Sequence, residues 1–298
     1  MGEESPRRLT VTIVGMGLMG GSLGMALYEN EPKYEIIGVD RNKDTLARAI
    51  EKHAAHRTVA DISEAAPFTD ILVLATPIRE MPHLAQEAAP HMRPGSIVTD
   101  LGSTKAYLAK EMPARLPGSI TYIGGHPMAG SEKSGIEAAR KDLLKGATYV
   151  LCPPDGIQED SRELLTLRQM VRVAGAREIF MEPEQHDIYV AIVSHLPYLC
   201  SVALAGLALK KSQDFPSLSR LMAGGFRDST RTASRDPLVG ADICLTNPEA
   251  LENMASEFNS IIEEIMSMVR KQDIEGLRQK LREIKLFRDS LKFPPSSN

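Results

Sequence analysis

Three glycines stand at G-x-G-x-x-G spacing in Val14-Gly15-Met16-Gly17-Leu18-Met19-Gly20, directly after an apolar run and at the mouth of a helical pattern. The spacing suits the pyrophosphate of a dinucleotide: Gly15 permits a tight turn, Gly17 lets the backbone approach the anion, and Gly20 lets helix and strand pack closely. Leu18 and Met19 fall at the helix start, where unpaired N–H groups attract negative charge. Asp40 lies 20 positions after Gly20 and ends the next apolar run, where an acid accepts hydrogen bonds from ribose hydroxyls. It would repel a 2′-phosphate, so NAD is expected rather than NADP, with the adjacent Arg41 arguing the other way. Thr76, just after a further apolar run, completes the cofactor-side candidates. Hydride transfer is the chemistry such a site serves.

Three more clusters carry reactive side chains: Asp100-Leu101-Gly102-Ser103-Thr104-Lys105, Gly124-Gly125-His126-Pro127-Met128-Ala129-Gly130, and Gly224-Gly225-Phe226-Arg227-Asp228-Ser229-Thr230-Arg231. A neutral imidazole is well suited to take a proton near neutral pH, and planar guanidinium groups suit carboxylates because they donate two parallel hydrogen bonds. In their order and spacing, the clusters and the glycine-rich loop resemble the prephenate/arogenate dehydrogenase family over nearly the whole chain. The resemblance implies NAD-dependent oxidative decarboxylation of prephenate to 4-hydroxyphenylpyruvate, a step of tyrosine biosynthesis, or of arogenate to tyrosine directly. His126 matches the family's catalytic histidine, and Ser103 a serine that hydrogen-bonds at the hydroxyl and nicotinamide end of the site. Arg231 matches the substrate-binding arginine, Arg227 a second basic residue of the same motif, and Arg235 is a weaker candidate.

His195, in Ser194-His195-Leu196-Pro197-Tyr198, also falls in a family motif. Tyr198 stands where many members carry a second histidine that contacts substrate, and Gly240 where some relatives have a tryptophan after D-P-x-x. Both departures bear on the shape of the substrate pocket. Plainer readings exist for each residue: His126 as a turn histidine, His195 as a satisfied core residue, Ser103 as the cap of a helix beginning near Thr104, and Arg227 in a surface ion pair with Asp228. Outside the family, the competing functions are a 3-hydroxyacid dehydrogenase, whose type uses a helix lysine as acid/base group, and a protein that senses NAD without turnover.

These residues need a scaffold that brings them to one place. The first half alternates short β-rich runs with helical patterns, which predicts an α/β Rossmann-type parallel sheet. Strands are expected at residues 9–14, 35–40, 71–75, 97–100, 121–124 and 148–152, with His126 just beyond a strand end, and a helix at residues 20–28. Pro153-Pro154-Asp155-Gly156 reads as a turn-rich linker. After an apolar run at 179–181 the sequence is almost entirely helical, with helical spacing at 217–221, 247–268 and 274–286. The expected organisation is an NAD-binding domain at 1–152, a connecting segment at 153–182 and an all-helical substrate and dimerisation domain at 183–298.

From 188 to 209 runs a stretch of 22 positions without a charged side chain, long enough on length alone to span a membrane. Ser194, His195, Pro197 and Ser201 interrupt it, so a helix buried on all sides is expected instead, with a homodimer interface as the home for apolar surface the domain cannot cover alone. In 298 residues, 43% are hydrophobic and 25% charged, ordinary for a globular protein of two domains. A net charge of -4 supplies no basic field for nucleic acid. Three scattered cysteines form no C-x-x-C, so neither metal nor disulfide is expected and a reducing, cytoplasmic setting fits. Residues 1–8 lack the pattern of a secretion signal, residues 294–298 read as a low-complexity tail, and the expectation is that neither a fused mutase nor a regulatory domain accompanies these two domains.

Overall fold

The computed structural model describes residues 8–29, 33–131 and 133–292; the expectations for 1–7 and 294–298 lie outside the described residues. In chain order the elements are β1 (Leu9–Val14), α1 (Leu18–Tyr28), β2 (Tyr34–Val39), α2 (Lys43–Glu51), β3 (Arg57–Val59), α3 (Ile62–Ala65), β4 (Ile71–Leu74), α4 (Met81–Ala88), β5 (Ile97–Asp100), α5 (Ala106–Glu111), β6 (Thr121–Tyr122), β7 (Gly124–Pro127), β8 (Thr148–Cys152), α6 (Arg162–Val173) and β9 (Arg177–Phe180). There follow α7 (Pro183–Val190), a π-helical turn (Ala191–His195), α8 (Leu196–Lys211), α9 (Gly224–Thr230), α10 (Pro237–Thr246), α11 (Pro248–Lys271) and α12 (Ile274–Ser290). Two compact units result, Met1–Pro248 and Glu249–Asn298.

The first six strands form one parallel sheet in the order β3-β2-β1-β4-β5-β6. Alternation along the central strands divides the core. Val11, Ile13, Ile71 and Val73 pack on one face with α1 and α6, while Val14, Leu72, Leu74 and Ile37 pack on the other with α3 and α4. Fully burying such a side chain stabilises by about 1.5–3 kcal/mol, which is why the strands are apolar on both faces. The strand expected at 121–124 is divided: β6 ends at Tyr122, Ile123 crosses over, and β7 joins a second sheet, β7-β8-β9, antiparallel to β8. His126 therefore lies inside a short strand, opposite Val150, and not in a loop beyond a strand end. The stretch after Cys152 contributes α6 and β9, the latter pairing parallel to β8. Periodicity gave no sign of β3, whose three residues are too few to show alternation.

The apolar run near 188–209 is not one helix buried on all sides. It continues α7 through the π-turn into α8, and Val193, Leu207 and Leu209 are more than half exposed in the single chain. Length and composition would let 183–211 cross a membrane, yet its buried polar residues, His186, Asp187, His195 and Ser201, all meet other elements of the same unit. Pro197 lacks the N–H that an α-helix would return to the preceding turn, and the wider π-turn accommodates the loss just before it. The second unit is α11 continued and α12, where among the described residues only Leu251 is buried. The stretch 217–221, expected to be helical, is a 3-10 turn (Leu218–Leu221).

Candidate active site

At the C-terminal edge of the large sheet the glycine-rich loop turns between β1 and α1. Gly15 has φ +93°, and a Cβ there would lie 2.7 Å from the Ala75 carbonyl oxygen and 3.1 Å from Thr76 Cγ2, so only glycine fits and Thr76 is brought against the loop. Among the described residues nothing lies within 4 Å of a Cβ position at Gly17, and α1 starts there with no side-chain cap, leaving open N–H groups. Leu18 and Met19 form the first helical positions. Asp40, just past β2, accepts from the Met16 N–H at 3.0 Å through one oxygen and from the Asn42 N–H at 2.9 Å through the other. Those bonds pin the carboxylate beside the loop, while Arg41 is exposed. A tight turn, an open anion-facing helix start and an anchored acid fit a dinucleotide cofactor.

A second group of residues is buried where β5, β6 and β7 meet α5 and α7. Asp100, at the end of β5, pairs with the Lys105 ammonium, and both side chains are fully buried. The same carboxylate accepts from the Gly102 N–H at 2.7 Å, the Tyr122 hydroxyl at 2.8 Å and the Gly125 N–H at 3.2 Å. A buried charge must be paired and hydrogen-bonded to be tolerated, and this set of bonds ties the Ser103 loop to the strand of His126. Burial and Asp100 both push the Tyr122 phenol well up, so it stays a donor.

His126 Nδ1 lies 2.8 Å from His186 Nε2, and His186 Nδ1 lies 2.7 Å from Asp187 Oδ1. Burial holds the His126 imidazole well below its ordinary value, with His186, Lys105 and His195 acting the same way, so the ring is neutral. Its Nε2 makes no hydrogen bond to any described residue. Asp187 also accepts the backbone N–H groups of Lys105 at 2.7 Å and Ala106 at 3.0 Å. Helix α5 thus begins at Ala106 and is capped from α7, which corrects the reading of Ser103 as the cap of a helix near Thr104. The Ser103 hydroxyl makes no hydrogen bond among the described residues, whereas Thr104 bonds Thr246 of α10 at 2.8 Å.

His195 closes the π-turn and is fully buried. Asn247 Nδ2 donates to the Asp187 carbonyl at 2.7 Å and lies 3.3 Å from His195 Nδ1. His195 Nε2 is buried with no partner among the described residues. Burial pushes this imidazole down to about 4, opposed by Asp187 and the Ser103 backbone and reinforced by His186 and Arg235. The Arg235 guanidinium sits 5.6 Å from the centre of the Tyr198 ring, one helical turn beyond His195. Tyr198 in turn points its hydroxyl at Gly240, where a Cβ would lie only 2.0 Å from the phenol oxygen. The two departures from the family pattern are therefore in contact with each other.

Arg231 opens a 3-10 turn (Arg231–Ser234) and is exposed; the turn is fastened to α8 by the Ala233 N–H donating to Ser201 at 3.0 Å. Arg227 is exposed and bonds Asp228 at 3.1 Å. The structure thus gathers Ser103, His126, His195, Tyr198 and Arg235 around α7 and α8, and leaves Arg227 at the surface of the single chain. Sequence reasoning missed His186, Asp187, Asn247 and the roles of Asp100 and Lys105. The available signal was Asp187, the last charge before the long uncharged run and adjacent to a histidine.

Two family models cover this chain: the prephenate dehydrogenase nucleotide-binding domain matches residues 23–180, and the prephenate dehydrogenase dimerization domain matches residues 182–283. Among curated relatives, a prephenate dehydrogenase of Bacillus subtilis is 32% identical over 287 residues, covering 95% of this chain and 76% of the relative. Among solved structures, prephenate dehydrogenase from A. aeolicus in complex with hydroxyphenyl propionate and NAD+ is 29% identical with a TM-score of 0.89, covering 97% of this chain and 100% of the other. An arogenate dehydrogenase of Synechocystis is also 29% identical, with a TM-score of 0.78, covering 94% of this chain and 99% of the other. The buried histidine falls within the first match and most of the helical half within the second, and the chain belongs to the prephenate dehydrogenase family.

Proposed function

We propose that this chain is an NAD-dependent prephenate dehydrogenase that forms 4-hydroxyphenylpyruvate and works as a cytoplasmic homodimer. The observation that carries the reading is His126, a buried imidazole kept neutral beside the end of β5, with an Nε2 that makes no hydrogen bond to a described residue. NAD, held by Gly15, Gly17, Leu18, Met19, Gly20, Asp40 and Thr76, supplies the acceptor for the hydride that leaves C4 of the substrate ring. His126 Nε2 takes the proton of the C4 hydroxyl, and a positioned base of this kind is worth a factor on the order of 10²–10⁴. Loss of the ring carboxylate as carbon dioxide leaves its bonding pair in the ring, which becomes aromatic, and the new phenol oxygen takes up a proton. The Ser103 hydroxyl, without a hydrogen bond among the described residues, would bond at the reacting oxygen, and the buried His195 Nε2, also without a partner among them, is a polar atom that a ligand would satisfy. Arg231 and Arg235 offer positive charge to the substrate carboxylates.

The exposed apolar residues of α8, α11 and α12 support assembly through the dimerization half. Arogenate is the second reading, favoured by the equal identity to the Synechocystis enzyme. The test is kcat/KM for prephenate and arogenate with saturating NAD, for the wild type and His126→Asn. The expected result is preference for prephenate, with kcat in the variant lowered on the order of 10²–10⁴-fold and NAD binding kept. A tenfold advantage for arogenate would overturn the substrate, and a variant keeping more than half its activity would remove His126 from the mechanism.

A further inference from the structure

We propose that His186 and Asp187 form a positioning relay that fixes the tautomer of His126, so that its Nε2 carries the lone pair a base requires. The inference rests on the proposed role of His126 and extends it to two residues that do not themselves meet the substrate.

The chain of bonds has a direction. The Asp187 carboxylate can only accept, and it takes three donors: the Lys105 N–H at 2.7 Å, the Ala106 N–H at 3.0 Å and His186 Nδ1 at 2.7 Å. His186 Nδ1 therefore carries a proton. In a neutral imidazole the other nitrogen is then an acceptor, so His186 Nε2 receives a hydrogen from His126 Nδ1 across 2.8 Å. With its proton on Nδ1, His126 presents a bare Nε2. Had Asp187 been absent, His186 could turn its N–H toward His126, and Nε2 would be left protonated and useless as a base.

Geometry holds the arrangement still. The His126 and His186 rings meet edge to face, with centres 5.0 Å apart and planes at 74°, and His186 is 1% exposed. Asp187 cannot swing away without uncapping α5, because its two oxygens are bonded to the first N–H groups of that helix. Charge agrees with the same assignment. Burial and Lys105 hold His126 neutral at rest, and Asp187, reached through His186, is the anion that the relay sets behind the imidazolium formed when His126 takes a proton. In that step the proton moves from the substrate hydroxyl to Nε2, and the relay protons on His126 Nδ1 and His186 Nδ1 stay where they are.

The experiment uses the full-length protein labelled with ¹⁵N-histidine, free and with NAD, at a pH where the histidines are neutral. Nitrogen shifts should report His126 protonated at Nδ1 and bare at Nε2. In kinetics, His186→Phe keeps the ring and removes the acceptor; its kcat should fall at least about tenfold, the kind of loss a wrong tautomer causes, while KM and NAD binding stay within about twofold. His186→Gln, whose amide oxygen can accept from His126 Nδ1, should recover part of the loss. A proton found on His126 Nε2 in the wild type would overturn the relay, as would unchanged kcat in His186→Phe, or kcat and NAD binding falling together in both variants. A wild type that turns over neither prephenate nor arogenate would sink the proposed function instead, with the tautomer still decided by the spectrum.

Discussion

Burial of His195 sets a pH dependence that can be worked out in sign. Its imidazole is pushed from an ordinary 6.5 down to about 4 by burial, and the groups facing it are Asp187, His186 and Asn247, with Arg235 nearby. Above 6.5 both folded and unfolded chains hold it neutral, and it contributes nothing that depends on pH. As pH falls from 6.5 toward 4, the unfolded chain binds a proton that the folded one refuses, so stability declines, by at most about 3 kcal/mol from this residue. Urea midpoints at about pH 7.5 and about pH 5 should differ clearly in the wild type and less in His195→Asn. His126 is depressed in the same direction, so some slope should persist; identical slopes in the two proteins would clear His195 of the effect. At this scale the sequence was legible where residue type and local context coincide, as in the turn at Gly15 and the acid Asp40 just past β2, while His126 was expected beyond a strand end and lies inside β7. Asp187 was illegible because its three donors come from α5 and from a neighbouring histidine whose orientation no linear spacing encodes.

Elements were legible in proportion to their length and isolation. The central strands and the amphipathic helices announce themselves by period, whereas the split between β6 and β7 turns on one residue, Ile123, and leaves no compositional mark. The π-turn is similarly hidden, although Pro197 hints at it. Helices α8 and α10 meet through Tyr198 and Gly240, and neither position explains itself alone. Gly240→Ala would place a Cβ 2.0 Å from the Tyr198 hydroxyl, which something must relieve. Overpacking of this kind typically costs about 1–3 kcal/mol, so the thermal midpoint should fall by several degrees. Tyr198→Ala/Gly240→Ala should lose little beyond Tyr198→Ala, giving a coupling in the double-mutant cycle. Strictly additive losses would show that the two helices do not bear on each other there.

For the whole molecule, composition pointed to two domains and apolar excess to self-association, but not to how little of the helical half a single chain covers. Leu207 of α8 is 55% exposed, Leu209 75% exposed and Phe287 of α12 66% exposed. If a second copy covers α8, Leu207→Asp should give monomers or insoluble protein by light scattering, because an unpaired charge in a dry interface is expensive. A monodisperse wild-type monomer at micromolar concentration would refute the dimer. The continuous segment of α7, π-turn and α8 carries His186, Asp187 and His195 inward and apolar residues outward, so anything that steadies one side steadies the other. Specific activity should then depend on how much enzyme is in the tube: diluted below its dissociation constant, the protein should lose turnover per subunit and regain it on concentration, with added NAD delaying the loss.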